Sequence, residues 1–474
     1  MADVSTLPAY YLPGLTEADI GDFIPLEFGS DGTRIKMLSP VLTPELLSRI
    51  IADIRKARDT YLVKQPVYKI VETIDKALDL WRNPDYPLRK KALELLPIIT
   101  GFSKPMISAI LSGFVTTMNA ENLKMLLTVE FGDPFVLDEF RPRSTGGFTR
   151  GFGPELTTAV FAGNVPGLPV GNIIFALLLK SAILAKSSSD EPLFAVLFAQ
   201  TLAEIDPDLA RCMAMVAWKG GDKKIERVAF DEADAVIVYG TDHSVNEIRK
   251  QVPAGTKFIP YGHKLSFGVI GREALSKDRV RNTAFLAATD ASIFDQQGCL
   301  SPHVFYVEED GEISPMEFSH YLADAMDGFA GKVPRGRISP DEAAHINQLR
   351  GAYEFREFAD DGIALHASSG GTQWTVIYEA DKTFVPSCLN RTIRIKPVAD
   401  VSEIIKLVEP VKAFLQTMGA TLPEDRLLNL AEDIGKLGMD RISPLGKMTA
   451  PSLFWRHDGR YNLLDMVRWT DIEV

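Results

Sequence analysis

The sequence predicts an α/β enzyme with two parallel-sheet domains and a mainly helical N-terminal region. Three observations carry this. From about residue 156, short, continuously apolar strands alternate with helices; a second series of the same kind starts near Gly262; and the first 130 residues show helical spacing instead. A strand that is apolar throughout is buried on both faces, as happens when crossover helices cover a parallel sheet.

The N-terminal region, residues 1–130, contains two amphipathic stretches, 44–63 and 66–81. Ile50, Ile51 and Ile54 in the first, and Ile70, Ile74 and Leu78 in the second, recur at three- and four-residue spacing. Glu45 falls in a first helical turn, where the dipole favours an anion. The region is expected to pack on the domain that follows it.

Residues 131–262 form the expected cofactor-binding domain. TTAVFAG (157–163), AILAK (182–186), CMAMVAW (212–218) and ADAVIVYG (233–240) are its strands, with helices at 168–179 and 190–205. Residues 263–440 form the second domain. SFGVIG (266–271), HVFYVEE (303–309), WTVIYEA (374–380) and RTIRIKPVA (391–399) are its strands, with helices at 273–288 and 402–418. Residues 441–474, rich in polar turns, are expected to fold back on the body.

Composition narrows the function. The 474 residues are 46% hydrophobic and 24% charged, with 35 Gly and 29 Pro, which is ordinary for a folded enzyme of about three domains' length. Lys and Arg number 51 against 63 Asp and Glu, a net charge of -12 that argues against nucleic-acid binding. The longest apolar stretch, NIIFALLLKSAILA (172–185), is interrupted by Lys180 and falls short of the roughly 20 residues a membrane span needs. No signal peptide is visible at the N-terminus. Cys212, Cys299 and Cys388 are odd in number and far apart, so neither a disulfide framework nor a metal site is expected. That usage fits a cytoplasmic location and leaves room for a reactive thiol. The glycine-rich string GFGPEL (151–156) lacks the third glycine of a dinucleotide fingerprint, and no P-loop, GxSxG or HExxH occurs.

Three less familiar segments carry the candidate chemistry. In DQQGCLSPH (295–303), Cys299 follows Gly298 among polar residues, a poor setting for apolar packing; it reads as a reactive thiol or as a buried structural one, the role that Cys212 fits inside an apolar strand. In VFAGNVPGLP (160–169), Asn164 sits on a rigid turn just past a strand, either as an oxyanion donor or as an ordinary Asx-turn. In AKSSSDEP (185–192), Lys186 ends a strand before a helix; Lys186 and the serines offer donors to a ligand, and Ser189 or Asp190 also suits a helix N-cap.

The order and spacing of Asn164, Lys186, Gly240-Thr241, Gly262 and Cys299 resemble the aldehyde dehydrogenase superfamily. More narrowly, GNVPGLP, AKSSSDEP, FDQQGCLSPH, LNRTIRIKPV (389–398), DRISPLGKM (440–448) and HDGRYNLLDMVRW (457–469) resemble the acyl-CoA reductases that supply aldehyde in bacterial luminescence. The likeness runs from about Val160 to the C-terminus. It implies an aldehyde dehydrogenase-like fold with two Rossmann-like domains. It also implies reduction of an acyl-CoA, a fatty one in the family's pattern, to an aldehyde through a thioester on Cys299, with Asn164 as oxyanion donor. Lys186, Ser189, Gly240 and Thr241 would contact the cofactor, and His263 and Lys264 would tune the thiolate or serve the local fold. NADPH is the implied cofactor because Ser189 stands where NAD-preferring relatives carry a carboxylate, which would repel a 2′-phosphate. An alternative is an acyl-accepting subunit fed by a partner acyl-protein synthetase, and a homo-oligomer is expected. Two departures are informative: Pro260 replaces the general-base Glu of ordinary aldehyde dehydrogenases, and Asn390 and Arg391 stand near the place of the ExFGP segment.

Overall fold

In the structure, a computed structural model that describes residues 7–30, 33–163 and 165–474, each apolar run named above becomes a strand with a parallel neighbour. Two compact units are present. One takes in the described part of Met1–Thr100 with Ser108–Gly262 and Arg460–Val474; the other takes in Gly101–Ile107 and His263–Gly459.

The first unit opens with strands β1 (Leu7–Pro8), β2 (Phe23–Ser30) and β3 (Thr33–Pro40), which form a small sheet that helical periodicity did not predict. Helices Pro44–Thr60 and Val67–Arg82 follow as expected. The short β4 (Arg141–Pro142) pairs with β5 (Phe148–Phe152). The central sheet comprises β6 (Leu156–Val160), β7 (Ala182–Lys186), β8 (Met213–Val216), β9 (Ala235–Tyr239) and β10 (Lys257–Tyr261) in the order β10-β9-β6-β7-β8. Pro260 lies on β10 at the sheet edge, where a missing N–H is tolerated. Ile50, Ile51 and Ile54 pack with Leu184, Val216 and Val238 in one core, so the N-terminal helices cover this sheet. The helix after β7 starts at Phe194 rather than near residue 190. Pro192 interrupts the segment, and the Glu191 carboxylate accepts the N–H groups of Leu193 and Phe194 at 2.7 and 2.8 Å.

The second unit holds β11 (Leu265–Ile270), β12 (Pro302–Glu308), β13 (Ile363–Ala367), β14 (Thr375–Glu379), β15 (Thr392–Val398), β16 (Leu415–Thr421) and β17 (Arg441–Pro444) in the order β13-β14-β15-β12-β11-β16-β17. Along β12, Phe305 and Val307 pack on one face with Ala284 and Phe318, while Val304 and Tyr306 pack on the other with Ile404 and Leu430. Both faces are therefore buried, as continuous apolar runs require.

Several expectations are corrected. The helix expected at 402–418 is helical only to Phe414, with its α-helical part at Ile404–Val408 and 3-10 turns over Glu409–Phe414; from Leu415 the chain is strand β16. Pro410 withholds an N–H from a continuing α-helix. The helix expected at 273–288 runs over Val280–Ser292, after a short turn at Arg272–Ala274. The expected 441–474 tail is divided. Residues up to Gly459, including β17, belong to the second unit, and only Arg460–Val474 joins the first. There Glu130 accepts the N–H groups of Asn462, Leu463 and Leu464, and β18 (Arg468–Ile472) pairs antiparallel with β5. Among the described residues no helix is long and apolar enough to cross a membrane.

Candidate active site

Cys299 sits in the turn between helix Val280–Ser292 and β12, and two unusual backbone segments hold that turn. Phe294, Asp295 and Gln296 have φ of 55°, 50° and 65°, and Leu389, Asn390 and Arg391 have φ of 65°, 55° and 64°. Left-handed backbone costs about 1–2 kcal/mol per non-glycine residue, so such runs persist only when side chains enforce them. Here each residue from 295 to 297 reaches the other segment. Arg391 Nε donates to Asp295 Oδ1 at 2.9 Å, with Nη2 at 2.7 Å from the same oxygen. Gln296 Nε2 donates to the carbonyls of Pro302 and Thr392, and its Oε1 accepts the Thr392 N–H. Gln297 Nε2 donates to Asn390 Oδ1 at 2.9 Å, and Asn390 Nδ2 donates to Glu342 Oε1 at 3.1 Å.

The Arg391 guanidinium is fully buried and the Asp295 side chain is 5% exposed. Burial raises the Asp295 carboxyl above its usual range even against Arg391, and burial lowers Arg391. Gly336 N–H adds a 2.8 Å bond to Asp295 Oδ2, and the Val333 carbonyl accepts from Arg391 Nη1 at 2.9 Å. Asn390 and Arg391, noted in the sequence for their place, thus brace the turn that carries the cysteine.

Cys299 is exposed, yet the surrounding protein desolvates its thiol. Burial, then the nearby Asp458 carboxylate, pushes the thiol up to about 11, while the Gln416 side chain and the backbone N–H groups of Cys299 and Leu300 pull the other way. Those two backbone N–H groups could equally serve an oxyanion formed next to the sulfur. Ser266 on β11 donates to the Cys299 carbonyl at 2.8 Å and accepts the Thr417 N–H at 3.2 Å, fixing the turn to the sheet. Cys212 is buried, its thiol raised to about 12 mainly by burial, and it fits the structural role; Cys388 is partly buried.

Lys264 pairs with Asp440 at 3.3 Å and lies 4.0 Å from Asp458, so its charge enters the site through carboxylates. His263 is exposed and its ring tilts against Phe414 at 5.7 Å. Its proximity, after burial, lowers His303 to about 4, leaving His303 neutral with Nδ1 accepting the Ser387 N–H.

The candidate cofactor residues cluster in the first unit. Lys186 ends β7 with Nζ 5.7 Å from the Trp218 ring; burial lowers its pKa, with Glu226 and Asp190 opposing. Ser189 is exposed and does not cap the following helix, a role taken by Glu191 as described above. A Cβ on Gly163 would stand 2.7 Å from Ser188 Oγ and 2.6 Å from Asp190 Cβ, so glycine lets the turn after β6 approach this loop. Asn164 lies outside the described residues. Thr241 caps helix Asp242–Arg249 by accepting the Ser244 N–H at 3.3 Å, and Gly240 N–H donates to the Tyr261 carbonyl at 3.2 Å.

Gln416, Asp458 and Ser266 were not singled out in the sequence. A helix reading of residues 402–418 hid Gln416, and LQTM (415–418), apolar only at its two ends, carries no alternation to mark a strand. Asp458 stands in HDG, and Asp-Gly is a turn signal for positive φ; Asp458 has φ 52°. No local pattern marks Ser266.

Comparison with known proteins adds three findings. The family model described as acyl-CoA reductase (LuxC) matches residues 62–469. Relatives include a long-chain acyl-protein thioester reductase of Aliivibrio fischeri, 25% identical over 399 residues, covering 83% of this chain and 79% of the relative. Another, of Photorhabdus luminescens, is 24% identical over 453 residues, covering 94% and 88%. Similar solved structures include aldehyde dehydrogenase 21 from Physcomitrella patens, with TM-score 0.75, 13% identity and 95% of each chain covered. The NADP-dependent glyceraldehyde-3-phosphate dehydrogenase from Bacillus halodurans C-125 is similar with TM-score 0.72, 14% identity and 96% of each covered. The fold is that of the aldehyde dehydrogenases.

The brace makes a stability prediction. Arg391→Met leaves Asp295 buried without its cation, and such a loss costs about 3–5 kcal/mol. Denaturant unfolding of Arg391→Met should show a loss of that size, and adding Asp295→Asn should restore part of it. A loss under about 1 kcal/mol would mean the pair does not hold the turn.

Proposed function

Because the chain belongs to the acyl-CoA reductase (LuxC) family, an oxidoreductase family, we propose that it reduces a long-chain acyl thioester to the aldehyde with NADPH. We propose further that Cys299 receives the acyl group from an acyl-protein partner. The observation that supports this is Cys299, an exposed cysteine on a turn braced by Arg391–Asp295 and by Ser266. The names of the two relatives above, long-chain acyl-protein thioester reductases aligned over most of this chain, favour a protein-borne donor. The family's description favours a second reading, in which free acyl-CoA is the donor.

The chemistry follows from thiol properties. Cys299 gives up its proton and the thiolate attacks the thioester carbonyl; the donor's thiolate leaves, so an S–C bond forms as another breaks. One thiolate replaces another, and little proton management is needed. The N–H groups of Cys299 and Leu300, with the Asn164 amide as a proposed further donor, would hold the tetrahedral oxyanion, each worth about 3–4 kcal/mol. NADPH, when bound, supplies the hydride that takes the acyl group to the aldehyde level. Cys299 then departs as thiolate when the carbonyl re-forms. Pro260, in place of a carboxylate, offers no base to activate water, which favours reduction over hydrolysis.

The residues of the first unit fit such a cofactor. Gly163 opens a close approach that a Cβ would fill, Lys186 supplies a cation at the β7 end, and exposed Ser189 offers a hydroxyl there, 3.5 Å from Asp190 Oδ1. Gly240 and Thr241 would border the pyrophosphate.

Two assays test this. NADPH consumption should be faster with an acylated partner protein than with free acyl-CoA at equal concentration, and absent with Cys299→Ala. Faster use of acyl-CoA would favour the second reading, and retained activity of Cys299→Ala above about a tenth would remove covalent catalysis. Separately, Ser189→Glu should lower the NADPH-over-NADH ratio of kcat/KM by about tenfold or more through a higher NADPH KM, since one charge-assisted contact is worth about 1.5–3 kcal/mol. An unchanged ratio would remove Ser189 from the cofactor site.

A further inference from the structure

Arg335 and Arg350 are 9% and 8% exposed, and both attach to the turn 368–374 that joins β13 to β14. Arg350, on helix Pro340–Ala359, holds this turn from its buried side. Its Nε donates to Thr375 Oγ1 at 2.9 Å and its Nη1 to the Gly371 carbonyl at 2.8 Å. Its Nη2 reaches Ser368 Oγ at 3.2 Å and the Trp374 carbonyl at 2.7 Å. Arg335 is tied to the same turn twice: Nη2 donates to Thr372 Oγ1 at 2.9 Å, and its backbone N–H donates to Gln373 Oε1 at 3.1 Å. The Nε and Nη1 of Arg335 are buried and have no hydrogen-bond partner.

Every acceptor on these two guanidinium groups is neutral. A buried cation without a counter-ion is costly, and buried charges are therefore normally paired. The carboxylates that act on the two arginines through space are engaged elsewhere or exposed. Asp295 is bonded to Arg391 and to the Gly336 N–H, Glu342 to the Ser339 N–H and Asn390, and Glu354 is exposed. The turn itself presents donors. Gly370 and Gly371 have φ of 71° and 155°, a course that glycine alone follows without strain. Arg350 draws the Gly371 carbonyl inward, so the N–H of that trans peptide, on Thr372, points the other way. Among the described residues, this N–H and those of Ser369 and Gly370 have no acceptor. Successive backbone donors beside a guanidinium with two donors to spare form a cradle for an oxyanion.

We propose that the 368–374 turn and Arg335 bind a phosphate group of the acyl-thioester donor. This deepens, and rests on, the reading of Cys299 as acyl acceptor. Strands β12, β14 and β15 run parallel, so the turn before β14, the braced segment before β15 and the Cys299 turn before β12 share one edge of the sheet. β14 and β12 are two strand spacings apart, about 10 Å. The Thr375 N–H donates to the Arg391 carbonyl at 2.9 Å, which joins the turn to the brace. A donor held here by its phosphate is held at the edge where its thioester is needed. CoA and a protein-borne phosphopantetheine arm both supply that chemistry.

The test is calorimetric binding to the whole protein, with CoA, dephospho-CoA, phosphopantetheine and pantetheine as probes. Arg335→Met should weaken CoA on the order of tenfold to a hundredfold, because charge-assisted bonds are lost. It should leave pantetheine and NADPH within about twofold of wild type. Arg335→Lys, which keeps the charge but not the fork, should fall between. Since the cation lacks a counter-ion, Arg335→Met without ligand should unfold at no lower a denaturant midpoint than wild type. A parallel loss with phosphopantetheine marks the phosphate of the arm, common to both donors; a loss with CoA but not with dephospho-CoA or phosphopantetheine marks the 3′-phosphate, and so free CoA. Unchanged CoA affinity in Arg335→Met, an equal loss with pantetheine or NADPH, or a midpoint well below wild type would overturn the proposal. Acylation by long-chain acyl-CoA without NADPH, measured in parallel, separates the two claims. Acyl groups attached to Cys299→Ala protein would overturn the reading of Cys299 and the proposal with it, whereas acylation confined to Cys299, with the same acyl-CoA dependence in Arg335→Met, would overturn only the phosphate site.

Discussion

The geometry of the turn that carries Cys299 depends on the buried contact between Arg391 and Asp295. It ties together two runs of left-handed backbone that neither segment would keep alone, at a strain of about 1–2 kcal/mol per residue. Gln296 and Gln297 add further ties on either side, to Thr392 and Asn390. The result is that residues 298–300 leave the turn at a fixed angle and enter β12. Cys299 is placed by this brace on one side and by Ser266 of β11 on the other. A nucleophile held this way needs no movement of its own backbone to meet a carbonyl, the kind of preorganisation that lowers barriers most reliably.

The electrostatics of the sulfur are balanced rather than one-sided. Burial and Asp458 push the thiol up to about 11, while the Gln416 side chain and the backbone of Cys299 and Leu300 pull the other way. Many thiol enzymes instead lower the thiol with an adjacent cation. Here Lys264 is committed to Asp440 and Asp458. A nucleophile that rests protonated is shielded from oxidation and stray alkylation, since susceptibility follows thiolate character. In thiol-for-thiol exchange the released donor can take up the proton that Cys299 loses. That suits the acyl transfer from one thioester to another with which the proposed reaction begins, and the absence of a carboxylate at Pro260 points the same way.

Much of the fold was legible in the sequence because buried parallel strands are apolar on both faces. AILAK became β7 with its predicted ends, and VFYVE lies wholly within β12. The failures have specific causes. Residues 402–418 carry apolar spacing that suits a helix, but Pro410 and the pairing of β16 with β11 override it from Leu415 onward. The short edge strands β1, β13 and β17 were missed because they carry little pattern of their own, and β2 and β3, eight residues each, lie in a region read as mainly helical. At the site, Cys299 stood out because its surroundings were wrong for packing, and Asn390 and Arg391 because of their place in the chain. Gln416 and Asp458 lie 117 and 159 positions beyond Cys299 in the chain, and such a meeting is set by sheet order, not by local pattern. The reading of Ser189 as a helix cap yielded to Glu191 because Pro192 delays the helix start.

The central claim is that the braced Cys299 is where the acyl group rests between donor and aldehyde. Its most direct test is to mix the protein with a labelled long-chain acyl thioester in the absence of NADPH, quench, digest and locate the label by mass spectrometry. The account predicts a hydroxylamine-sensitive acyl group on the peptide containing Cys299, persisting for many turnover times and discharged as aldehyde when NADPH is added. Label on Cys212 or Cys388, or rapid release of free acid with no acyl-protein, would contradict it.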